Sequence, residues 1–91
     1  MSDKYRETVV LLNELGLHAR AAAAFVKIAS KYNSEIKVKK NNSIINGKSI
    51  TSLIMLMASK GTQIEIIVTG DDAFDCINEL KDLVNNKFGE E

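Results

Sequence analysis

The chain has one cysteine, one histidine, no tryptophan and no proline in 91 residues. With Cys76 alone no intramolecular disulfide can form, and Cys76 and His18 cannot build a zinc cluster between them. No apolar run approaches the ~18 residues of a membrane span, which predicts no membrane insertion. The opening Met1-Ser2-Asp3-Lys4-Tyr5-Arg6-Glu7 lacks the apolar core of a secretory signal. These absences together predict a reducing, cytoplasmic location.

What is present fits one ordinary globular domain covering 1–91, since 45% of residues are hydrophobic and 26% charged. Net charge is zero, but the charge is badly mixed. Residues 16–61 carry Arg20, Lys27, Lys31, Lys37, Lys39, Lys40, Lys48 and Lys60 against the single acid Glu35. Residues 62–91 carry eight acids against Lys81 and Lys87. The basic middle predicts an anionic partner. Its only aromatics are Phe25 and Tyr32, with no stacking motif, which argues against nucleic acid.

The stretch Gly16-Leu17-His18-Ala19-Arg20 organises the chain. It falls where an extended apolar run, Val9 to Leu12, gives way to an alanine-rich helical run. A histidine there sits at a helix N-terminus, beside backbone N–H groups without helical partners. The imidazole can act as a nucleophile, and the N–H groups and Arg20 can hold anionic oxygens.

Residues 5–12 read as a strand and 13–16 as a loop. From Ala19 to about Lys31, Ala22, Phe25, Val26 and Ala29 recur at helical spacing and face a core. Residues 35–39 alternate as a strand, Asn41-Asn42 turns the chain, and 43–46 return as a second strand. Ser49 is placed to cap a short helix bearing Ile50, Leu53, Ile54 and Met57, stopped at Ser59-Lys60-Gly61. Ile50, Ile54 and Met57 either complete the core or stay exposed as a docking patch. Residues 62–69 form a strand. Gly70-Asp71-Asp72 then opens a last helix with Asp71, Asp72 and Asp75 in its first turn, and Ala73, Ile77, Leu80 and Val84 buried. Lys81 and Lys87 come late in that helix, and 89–91 are expected to fray.

The order β-α-β-β-α-β-α and two of its motifs resemble the HPr family, the histidine-containing phosphocarriers of the bacterial sugar phosphotransferase system, over roughly residues 5 to 88. Gly16-Leu17-His18-Ala19-Arg20 is similar to the family's active-site motif, and Asn46-Gly47-Lys48-Ser49-Ile50 to its second motif. The resemblance implies an α+β, open-faced β-sandwich: a four-stranded antiparallel sheet, order 1-4-2-3, with three helices on one face. It implies that His18 accepts a phosphoryl group on Nδ1 from phosphorylated enzyme I, for an enzyme IIA histidine, and that Arg20 helps hold it. It implies that Ser49 can be modified by a regulatory kinase/phosphorylase, and that the protein is a monomer needing no metal or cofactor. Partners would dock on Ile50, Thr51 and Ile54 beside Arg20, Lys27 and Lys48. Two positions depart from the family: Ala21 replaces the proline that usually follows the arginine, and Thr51 stands where relatives often carry Met or Phe. These departures leave a second reading, an HPr-like regulatory module that signals carbon or nitrogen status by docking to regulators.

Overall fold

The computed structural model describes residues 3–90. Its elements are β1 (Asp3–Val10), α1 (Ala19–Ala29), β2 (Glu35–Lys40), β3 (Ser43–Asn46), α2 (Ile50–Met55), β4 (Gln63–Gly70) and α3 (Ala73–Asn85), followed by a single turn at Lys87–Gly89. The strands form one antiparallel sheet in the order β1-β4-β2-β3.

The register explains the two faces. Val9 pairs with Ile64, Tyr5 with Val68, and β2 sets Val38 against Ile66 and Ile36 against Val68. Strand side chains alternate between faces, so these residues share the inner face, where all but the half-buried Tyr5 are buried with Leu11. The opposite face carries Lys4, Arg6, Thr8, Lys37 and Lys39, all but one of them exposed and Lys39 half-buried. Ile67 also lies on this face, buried where the register sets it between Arg6 and Lys37, while Val10 and Ile44 are exposed there.

Helices cover the inner face. Ala21, Ala22, Phe25 and Ala29 of α1 are buried, and so are Ala73, Cys76, Ile77, Leu80 and Val84 of α3. Val26 is only half-buried, at the edge of the predicted stripe. Small alanines let α1 lie close to its neighbours. At the margin, Glu7 of β1 meets Lys81 of α3 at 3.8 Å.

Several boundaries differ from expectation. α2 ends at Met55, two residues early, and Met57 takes φ 53. Lys40 Nζ donates to Leu56 O at 2.8 Å, so a side chain from β2 serves the end of α2 that Gly61 was expected to serve. Gly61, φ 87, lies in the turn before β4 and donates its N–H to Leu11 O. Of the three acids assigned to the start of α3, only Asp75 lies in its first turn. Asp72 is the N-cap residue, but its carboxylate turns away. It accepts from Asn33 N at 2.8 Å, Ser34 N at 3.1 Å and the Ser34 hydroxyl. Lys87 falls beyond the end of α3 rather than inside it. The expected fraying is overturned at Gly89 and Glu90, which fold back on the body of the protein, while Glu91 lies outside the described residues.

Candidate functional site

The loop between β1 and α1 is held from below. Leu17, 3% exposed, is its apolar anchor, and its N–H donates to Ala58 O at 2.9 Å. Gly16 takes φ 62 with no room for a side chain: a Cβ would strike Ala58 O and come within 2.7 Å of Ser59 Cα. Only glycine brings the loop this close to the segment after α2 while keeping a left-handed backbone. The same segment carries the exposed Met57, so loop and α2 present one continuous surface.

His18 follows as the N-cap of α1, with extended backbone (φ −77, ψ 179). Its carbonyl accepts from Ala22 N at 2.8 Å, starting the helix. Its Nδ1 accepts from Arg20 N at 3.3 Å. Its Nε2 lies 2.6 Å from Glu90 Oε2. An amide N–H can only donate and a carboxylate only accept, so these partners set the neutral ring's proton on Nε2 and leave the Nδ1 lone pair toward the start of α1. The imidazole is 25% exposed, reachable from solvent yet fixed on both nitrogens.

Two residues of this site were not among those read from the sequence. Asn13 is fully buried, and its Nδ2 donates to Gly16 O at 2.8 Å and to Glu90 Oε1 at 3.0 Å. The Asn13 amide, ahead of the His18 contact and the nearby Arg20 charge, holds the Glu90 carboxyl below the usual carboxylate range despite partial burial. Nothing local in the chain points to this pair, which is 77 residues apart.

Arg20 is exposed in the first turn of α1. Lys27 is not beside it; it sits in the last turn, roughly 13 Å along the axis from His18. Lys48 is half-buried and turned inward, with Nζ donating to Tyr32 O at 2.6 Å and so joining the end of α1 to the start of α2. Of the three cations expected beside the docking residues, Arg20 lies in the first turn of α1 after His18, Lys27 in its last turn, and Lys48 just before Ser49 and α2. Ser49 caps α2, its Oγ accepting from Ser52 N at 3.2 Å. Leu53 of that helix is core, while Ile50 (40%) and Ile54 (38%) are exposed, as is Thr51. Leu15, Leu17, His18, Ile54, Met57 and Ala58 line an open hollow of about 280 Å³. Leu15, 69% exposed, extends that apolar rim beyond the residues expected, and Met55, 73% exposed, is a further exposed apolar residue at the end of α2.

Among the described residues no cluster of His, Cys, Asp and Glu could hold a metal, and no helix is long and apolar enough to cross a membrane. Fold and site thus define a small open-faced β-sandwich whose one histidine caps a helix beside an arginine. Residues 5–86 match the family model described as "PTS HPr component phosphorylation site". The chain belongs to the HPr phosphocarrier family of the phosphotransferase system. It is 47% identical over 85 residues to the phosphocarrier protein HPr of Neisseria meningitidis serogroup A, covering 93% of this chain and 96% of that one. It is 42% identical over 83 residues to the Pseudomonas aeruginosa protein of the same name, covering 90% and 92%. Among solved structures, HPr from Thermoanaerobacter tengcongensis superposes with a TM-score of 0.92 at 44% identity, covering 96% of this chain and 98% of that one.

Proposed function

We propose that this chain carries a phosphoryl group on His18 Nδ1, taking it from a phosphohistidine of enzyme I and passing it to a histidine of an enzyme IIA domain. The reading places it in the cytoplasm as a monomer that works as one unit over 1–91. The observation that carries it is the Nδ1 lone pair, held free of its proton and turned toward the start of α1. There the Arg20 N–H and guanidinium would bind phosphoryl oxygens, and the helix N-terminus favours their negative charge.

In the transfer, the Nδ1 lone pair bonds to phosphorus while the donor's N–P bond breaks and its electron pair returns to the donor ring. Two imidazoles in line exchange the group by positioning and charge stabilisation. The exposed rim of Ile50, Thr51, Ile54, Met57 and Leu15 supplies the docking surface. Arg20 and the exposed Lys27 supply its charge, while the Lys48 ammonium is held at Tyr32 O. Incubation with enzyme I, phosphoenolpyruvate and magnesium should add one phosphoryl group by intact mass. The group should be lost in brief acid treatment, as a phosphoramidate is. His18→Ala should stay folded and take up none. An acid-stable adduct, or uptake by His18→Ala, would refute the reading.

Ser49 is proposed as a regulatory site for a kinase/phosphorylase. A phosphate at an N-cap suits the helix dipole but adds negative charge beside a surface meant for acidic partners. Ser49→Asp should remain folded and accept phosphoryl groups more slowly. If it accepts them as fast as the wild type, Ser49 is a cap and nothing more.

A further inference from the structure

The end of α2 is not built like a common helix end. Leu56 is its C-cap, and a left-handed residue after a C-cap is usually glycine. Here it is Met57, at φ 53. Left-handed backbone is costly for a residue with a Cβ, and such outliers persist where surrounding contacts enforce them, often at binding surfaces. Leu56 and Ala58, 6% and 3% exposed, are sunk in the core on either side, and Met57 between them is turned out to 81%. The last turn is tight: Leu56 N donates to Leu53 O at 3.2 Å and Met57 N to Ile54 O at 3.0 Å. The carbonyls that follow have no helical partner. Lys40, at the end of β2, donates from Nζ to Leu56 O at 2.8 Å and to Met57 O at 3.4 Å. Leu17 N, in the loop before His18, donates to Ala58 O at 2.9 Å.

We propose that Lys40 is a positioning residue for docking: by clamping Leu56 O and Met57 O it holds the left-handed turn after α2 and fixes the Met57 side chain on the apolar rim beside His18. This rests on the reading of that rim as the surface for enzyme I. A cation at a helix C-terminus meets the negative end of the dipole and carbonyls that lack helical partners, so the ammonium suits this end on both counts. Charge-assisted bonds are stronger than neutral ones, which lets one side chain oppose the cost of a left-handed methionine. The clamp reaches the site through Met57, which lines the hollow with Leu15, Leu17, His18 and Ile54. Lys40 itself is half-buried and stands on the strand side of the segment, outside that hollow. Leu17 has its own bond to Ala58 O, so the loop that carries His18 does not depend on Lys40. The loss of Lys40 should therefore be felt in partner binding and not in the chemistry at Nδ1.

The test uses the full chain and the variants Lys40→Met, which keeps the aliphatic stem without the ammonium, and Lys40→Arg, which keeps the charge. In acceptance from phosphorylated enzyme I, Lys40→Met should raise KM about fivefold and leave kcat within about twofold, and Lys40→Arg should restore most of the loss. Nuclear Overhauser spectra of the unphosphorylated chain should show the strong HN–Hα cross-peak of left-handed backbone at Met57 in the wild type and in Lys40→Arg, and a weakened one in Lys40→Met. A double-mutant cycle separates a clamp from a direct contact. Glycine holds a left-handed turn unaided, so in the Met57→Gly background Lys40→Met should change KM by less than about twofold. Lys40→Gln, polar but uncharged, repeats each measurement should Lys40→Met fold poorly. A KM within about twofold of wild type, a change confined to kcat, an unaltered Met57 cross-peak, or the same rise in KM with methionine and with glycine at position 57 would overturn the proposal. If the wild type takes no phosphoryl group from enzyme I, the docking reading fails; the spectra, which need no enzyme I, still decide whether Lys40 holds Met57.

Discussion

At His18, backbone and side chain divide the work. The carbonyl starts α1 through Ala22, Nδ1 accepts from Arg20 N, and Nε2 meets Glu90. Leu17 beneath and Gly16 before it fix where that ring stands. Arg20 differs from these residues in having no structural duty visible in the packing, since it is exposed in the first helical turn. Its removal should leave stability nearly unchanged and weaken transfer. A hydrogen bond to a charged group contributes about 1.5–3 kcal/mol, so Arg20→Ala should slow phosphoryl acceptance roughly ten- to a hundredfold. Rapid-quench rates alongside a thermal melt check this. A destabilised variant with an unchanged rate would mean that Arg20 serves the helix instead.

At the level of elements, the ties between them explain what was legible beforehand. The caps at His18 and Ser49 were readable because a cap needs only its own residue and the next turn. The strands, the hairpin at Asn41-Asn42 and the apolar stripes of α1 and α3 were likewise local patterns. Lys48, Lys40 and Asp72 were not readable, because each serves a backbone group left open by a distant element. Lys48 goes to Tyr32 O, Lys40 to the end of α2, and Asp72 to the start of β2. The Asn13–Glu90–His18 chain was invisible for the same reason, since it joins a loop near one end to a turn near the other. Asp72 makes a testable case. The Ser34 hydroxyl, then the Asn33 amide, hold its carboxyl below the usual range. A lowered folded value contributes stability above the unfolded value of about 3.9, and that contribution is lost as pH falls through the folded value. The gap in urea midpoint between wild type and Asp72→Ala should therefore be constant above about pH 5 and shrink below about pH 3. A gap that does not change with pH would show that the bridge acts without its charge.

Across the whole molecule, folding redistributes a lopsided charge. Basic residues of the middle meet acids from elsewhere: Lys31 with Glu79 at 2.6 Å, Lys60 with Glu14 at 2.8 Å. Exposed pairs of this kind add little stability, but they draw positive potential away from the rest of the surface and leave Arg20 as the cation beside the histidine. The tail completes the arrangement by bringing the Glu90 carboxylate against the imidazole. The account stands or falls on which ring nitrogen takes the phosphorus. The direct measurement is one-bond ¹⁵N–³¹P coupling in a chain labelled at the imidazole nitrogens and phosphorylated through enzyme I. The account predicts coupling to Nδ1 of His18, with Nε2 carrying no phosphorus. Coupling at Nε2, or phosphate found on a hydroxyl with no coupling to the ring, would contradict it.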